Sequence, residues 1–175
     1  MSKQAFEDVI SELLKTIKLC IKEKSYRTCL ILIYSGIDTM GWLYLPKNKL
    51  DSDRESFTIW VRKFFLPNSG LMCNETDLYA ARCGLVHSNT AEARLIREGE
   101  AKRICYAYGT KKVADLRKLL DSIGKYSDIP VKIEELFNAF QSSINCFKQH
   151  LLNHPEKAKV VYERADKLLV KFPSK

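Results

Sequence analysis

The chain has 175 residues, 46% of them hydrophobic and 29% charged, and carries a formal net charge of +8. That length suits one domain with a real core, and the balance of apolar and charged residues excludes a disordered or fibrous chain. The longest unbroken apolar run, residues 29–34, is far below the roughly 18 to 20 residues needed to cross a bilayer, so no membrane span is expected.

The N-terminus meets Glu7 and Asp8 at once and builds no secretory apolar block, so export is not expected. Phe6, Val9, Ile10, Leu13, Leu14, Ile17, Cys20 and Ile21 recur at helical spacing and predict an amphipathic helix over residues 3–22. Acids early in it and lysines late complement the helix dipole and need no partner. A second helix over residues 25–44 is apolar nearly all round between Thr28 and Ile37, which makes it the most enclosed helix of a bundle. Asp38, near the end of that apolar stretch, then requires a hydrogen-bond or charge partner.

Residues 45–53 read as a loop, and Asp53 or Ser52 caps a short helix carrying Phe57, Ile59, Trp60, Val61, Phe64 and Phe65, ended by residues 67–70. The next helix starts near Asn74 or Thr76 and runs through Arg82 to about His87. Residues 91–109 fit no single element; 103–108 allow a short strand, for which no partner is evident. Residues 112–123 predict a helix and 124–128 a turn. Ile133, Leu136, Phe137, Phe140, Ile144, Phe147 and Leu151 form a stripe on a long helix entered at Pro130, and a last helix, entered at Pro155, carries Val160, Val161, Ala165, Leu168, Leu169 and Phe172. The expected class is all-α: a helical bundle over about residues 3–90, with additional C-terminal helices in a basic extension over 91–175, one short strand allowed, within a single domain.

The six cysteines form no CxxC pair and several lie on apolar stretches, the pattern of reduced, buried thiols and of a cytoplasmic protein. The positive charge is concentrated. Residues 94–118 hold eight basic side chains against three acidic, residues 155–175 hold six against three, and the remainder nets zero. Such a field suits a polyanion such as RNA, with Arg94, Arg97, Lys102, Arg103, Lys111 and Lys112 as candidate RNA contacts. Solubility alone is the plainer reading of the same charges.

Arg82 and His87 stand five residues apart at the end of a predicted helix. On an ideal α-helix that separation leaves them roughly 140° apart around the axis and about 7.5 Å along it. Convergence therefore needs the helix to loosen near Gly84 or to end by His87. Histidine suits proton transfer near neutral pH, and arginine suits the charge that grows on phosphoryl oxygens. The structural alternatives are a helix-terminal imidazolium and an Arg82 ion pair with Asp38 or Asp77. Cys83 and His87 at i, i+4 could face one metal ion, but no further ligand stands at a telling spacing, so no metal is expected. His150 and His154 flank the turn between the last two helices and read as surface residues.

This segment resembles the HEPN superfamily, whose signature is an arginine, four to six intervening residues and a histidine on a helix inside a small bundle. The resemblance covers about residues 6–87, with Arg82 and His87 at the motif positions and Asp38 on the earlier helix where many members keep an acidic residue. It implies a homodimer whose motif helices face one cleft, and cofactor-free cleavage of RNA by attack of the 2′-hydroxyl on the adjacent phosphorus. It further implies an antitoxin or other partner protein. Many active members carry a polar residue, often asparagine, after the arginine; here that position is Cys83. A non-catalytic HEPN-like module binding RNA, nucleotide or a partner protein is the alternative expectation, and a purely structural subunit is a third.

Overall fold

The structure, a computed structural model, describes residues 3–88 and 93–168, the side chains at positions 68, 87 and 88 excepted. In chain order, α1 (Lys3–Lys22), α2 (Tyr26–Tyr44), α3 (Arg54–Trp60) and α4 (Glu75–Cys83) are followed by the short α5 (Arg94–Arg97), β1 (Ile104–Ala107), α6 (Val113–Ser122), β2 (Ile129–Lys132), α7 (Ile133–Leu152) and α8 (Pro155–Ala165). Among the described residues the chain is thus predominantly helical, with one two-stranded sheet.

α2 has no polar face to give to water. It buries Cys29, Leu30, Ile33, Tyr34, Ile37, Met40 and Leu43, and α1, α3, α4, α7 and α8 all pack against it. Close approach is built into its sequence: a Cβ at Gly41 would stand 2.8 Å from the Ser56 carbonyl oxygen of α3, and one at Gly36 would stand 2.6 Å from the Phe140 ring of α7. The core is continuous from Phe6 on α1 to Ala165 on α8. At its centre Trp60, Phe64 and Phe147 meet edge to face or tilted, Phe64 and Phe147 with ring centroids 5.0 Å apart.

Two helices begin where the sequence places their caps. Asp53 accepts from the Ser56 N–H at 2.8 Å, and the Ser56 hydroxyl accepts in return from the Asp53 N–H. Asn74 accepts from Thr76 and Asp77 N–H groups, and Asp77 accepts from the Asn74 N–H at 2.9 Å. Both are reciprocal capping boxes. Each helix then loosens into a π-helical turn, Val61–Phe65 after α3 and Gly84–Ser88 after α4.

The short strand expected over 103–108 exists as β1, and its partner is a segment that the sequence assigns to a helix entry. Ile129, Pro130, Val131 and Lys132 form β2, parallel to β1 with Ile104 opposite Ile129 and Ala107 opposite Lys132. The long helix therefore starts at Ile133 rather than at Pro130. In a two-stranded sheet each strand is an edge, where a proline's missing N–H does little harm. α6 is the crossover between the strands. Buried Ile104, Ala107, Ile129 and Val131 seat the sheet on the bundle, and the Tyr106 and Tyr34 hydroxyls share a 2.6 Å hydrogen bond.

Arg164 holds the end of α2. Its side chain, on α8, donates to the carbonyl oxygens of Trp42 (2.7 Å), Leu45 (2.7 Å), Pro46 (2.9 Å) and Lys49 (2.6 Å), and the residue is only 6% exposed. These lie at and just beyond the last turn of α2, where a helix runs out of its own N–H donors and a cation also meets the negative end of the dipole. Arg164→Ala strips all four carbonyls of a buried donor and should cost about 3 kcal/mol or more in urea unfolding. Arg164→Lys should recover only part, because an ammonium cannot reproduce the planar fork.

His150 is a correction to the surface reading. It is half-buried, its ring 5.3 Å from Phe64, 5.7 Å from Tyr44 and 4.2 Å from His154, which is itself exposed. Burial and then the nearby charges of Lys63, His154 and Lys157, against a smaller opposing pull from Glu156, depress its pKa below 6.5. A depressed histidine favours the neutral ring in the fold, so its contribution is fully present above about pH 6.5 and is lost as pH falls below it. The unfolding free energy should drop on acidification through that window, and His150→Phe should flatten that part of the profile.

Candidate functional site

The site grows from one carboxylate on an apolar helix. Asp38 lies on α2 and is met by Arg82, near the end of α4, whose Nε donates to Asp38 Oδ2 at 2.6 Å. Both side chains are largely enclosed, 22% and 18% exposed respectively. Of the two acidic partners open to Arg82, the structure selects Asp38. Asp77 is committed elsewhere: 2% exposed, it closes the Asn74 cap and accepts from the Lys102 N–H at 2.7 Å, tying the segment before β1 to the start of α4.

Tyr79, one turn before Arg82, is a site residue that the sequence reading missed. The Arg82 guanidinium stands 5.9 Å from its ring centroid and the Arg54 guanidinium 5.8 Å, while Phe57 packs edge-on at 5.4 Å. Burial first, and then the neighbouring Cys83 sulfur, raise its phenol pKa. The signal that could have found it is the i, i+3 spacing to Arg82 on one helix.

Burial alone would lower the pKa of Arg82. The hydrogen bond and charge of Asp38, with a further part from Cys83, outweigh burial and move it upward, so the guanidinium is a fixed cation. His87 occupies the fourth position of the π-helical turn Gly84–Ser88, which packs against α2; its side chain lies outside the described residues. The helix therefore loosens at Gly84, the position where the spacing requires it. A π turn closes i→i+5 hydrogen bonds, so positions five apart come closer to one turn than on an α-helix.

The candidate RNA contacts are spread over three segments, α5 and the two ends of β1. Arg94 and Arg97 lie exposed on α5, and Arg94 pairs with Glu98 at 3.6 Å. Exposed Lys102 and half-buried Arg103 precede β1, whereas exposed Lys111 and Lys112 follow it. A four-residue strand separates these two pairs, which places them roughly 13 Å or more apart along its axis. Arg117 of the same basic stretch donates to the Asp128 carbonyl (2.7 Å) and the Lys125 carbonyl (2.9 Å) and pairs with Asp121, so it fastens the turn before β2.

No helix among the described residues is long and apolar enough to cross a membrane. The chain matches no protein-family model, no curated protein and no solved structure.

A double-mutant cycle checks whether the ion pair joins α2 to α4. Removing either partner leaves a half-buried charge without its counter-charge, so Asp38→Ala and Arg82→Ala should each destabilise by about 1 to 3 kcal/mol in thermal or urea melts. The double variant should fall clearly short of their sum, because the second truncation removes the charge stranded by the first.

Proposed function

We propose that the chain is a HEPN-like protein that binds RNA and cleaves it without a metal through Arg82 and His87. The observation that carries this reading is the Asp38–Arg82 pair joining α2 to α4, with position 87 in a loosened turn directly after the motif arginine. π-helical turns inside helices occur frequently at functional sites. In this reading Asp38 positions Arg82 through Nε, and the guanidinium meets charge developing on the phosphoryl oxygens. His87 moves the proton of the attacking 2′-hydroxyl. A second copy of the chain supplies a second Arg82 and His87 to a shared cleft, and an antitoxin or other partner protein would regulate it.

Cys83 favours a second reading. Its sulfur lies close enough to Tyr79 to raise the phenol pKa, and it stands at the position where many active relatives of the resembled family carry a polar residue. A non-catalytic HEPN-like module that binds RNA without cutting it follows from that departure.

The test is cleavage of single-stranded RNA in the presence of EDTA by the purified chain, with its oligomeric state measured by light scattering. The expected products end in 2′,3′-cyclic phosphate and 5′-hydroxyl, and DNA survives because it lacks the 2′-hydroxyl. His87→Ala and Arg82→Ala should each lower the rate by about 10² or more with the helical signal intact. Cys83→Asn should raise a weak activity. If wild type and Cys83→Asn both leave RNA whole as verified dimers, the binding-module reading replaces the nuclease.

A further inference from the structure

The unit formed by β1, α6 and β2 carries a pocket that the Asp38–Arg82 site does not use. It encloses about 350 Å³ and is lined by Tyr106, Ala107, Tyr108, Lys111, Lys112, Asp115, Leu116 and Leu119. It opens where β1 hands over to α6. In open parallel sheets ligands sit outside the carboxyl ends of the strands, and this volume is in the range of small-molecule sites.

The lining has three chemically distinct parts. Lys111 and Lys112 are exposed, and neither has a carboxylate partner among the described residues. The apolar part, Leu116 and Leu119 of α6, leaves Leu119 uncovered, and Tyr108 stands beside it with its ring stacked on Tyr26 at 4.4 Å. Asp115 supplies one carboxylate. The wall is held in place: Gly109 takes φ +61°, and its N–H donates to Glu134 Oε1 at the start of α7 at 3.0 Å. Two unpaired cations beside an open aromatic and aliphatic wall do not suit water alone.

We infer that this pocket binds a phosphate ester carrying a flat ring: the phosphate against Lys111 and Lys112, the ring against Tyr108 and the leucines, and a hydroxyl of the body toward Asp115. Charge-assisted bonds from both ammonium groups fix the phosphate. The first turn of α6, whose cap residue Lys112 offers no side-chain acceptor, adds the positive end of its dipole. The ester is either a free small molecule or one unit of an RNA strand. The inference does not depend on cleavage and takes from the proposed function only that the basic segment faces a polyanion.

The experiment is calorimetric titration of the full chain with AMP, adenosine, inorganic phosphate and a 2′-O-methylated hexauridylate, which cannot be cut through its own 2′-oxygen. AMP is expected to bind, with adenosine and phosphate each about tenfold weaker or worse. Lys111→Ala/Lys112→Ala should weaken AMP about tenfold or more. Tyr108→Leu, which keeps an apolar contact for Tyr26, should weaken it about fivefold. Competition between AMP and the hexamer assigns the site to an RNA unit, and AMP binding without competition assigns it to a free small molecule. Failure of both AMP and the hexamer to bind would overturn the inference. So would phosphate binding as tightly as AMP, or affinity unchanged in the lysine variant. Because binding is read without turnover, these outcomes stand apart from any failure of the nuclease reading.

Discussion

A helix that is apolar on every side must be enclosed on every side, and α2 imposes that requirement on the whole chain. Its buried stretch from Cys29 to Leu43 has to find neighbours all round, and α1, α3, α4, α7 and α8 supply them. Any polar group carried into that environment then needs its own partner. Asp38 receives Arg82, Tyr34 receives the Tyr106 hydroxyl, and carbonyls from the end of the helix receive Arg164. The Asp38–Arg82 pair and two of the ties to the C-terminal half are therefore consequences of one constraint.

Much of the bundle was legible because its signals are local. The stripe beginning at Phe6, the all-round apolar run of α2 and the caps at Asp53 and Asn74 depend on residues within a turn or two of one another. β2 was not legible. Ile129 to Lys132 carries no strand signature of its own, and it becomes a strand through pairing with β1 across the α6 crossover. Half of the candidate site was legible on the same logic: a carboxylate at the end of an apolar run demands a partner, and Asp38 and Arg82 meet. Tyr79 escaped because an aromatic at helical spacing reads as core until the two guanidinium groups beside it are seen.

Basic residues counted from the sequence give a different picture once their partners are known. Arg164 and Arg117 belong to the two basic segments, yet each is occupied by backbone carbonyls, a use of arginine that leaves no mark in composition. Lys111 and Lys112 are the contrasting case, adjacent in sequence and without an acidic partner among the described residues. Arg164 and Arg117 are thus committed to fastening the backbone, whereas Lys111 and Lys112 line the pocket at the end of β1.

The ion pair between α2 and α4 also shapes any chemistry at Arg82. A guanidinium held through Nε by a largely enclosed carboxylate is fixed in position, and its upward pKa keeps it charged throughout the pH range in which the fold exists. Fixed donors cost no reorganisation when charge develops on a reacting group, which is the feature that makes electrostatic stabilisation effective. A permanently charged Arg82 cannot give a rate profile a limb near neutral pH. In the proposed reaction Arg82 therefore has the part of a fixed charge, and the transfer of the proton is left to His87.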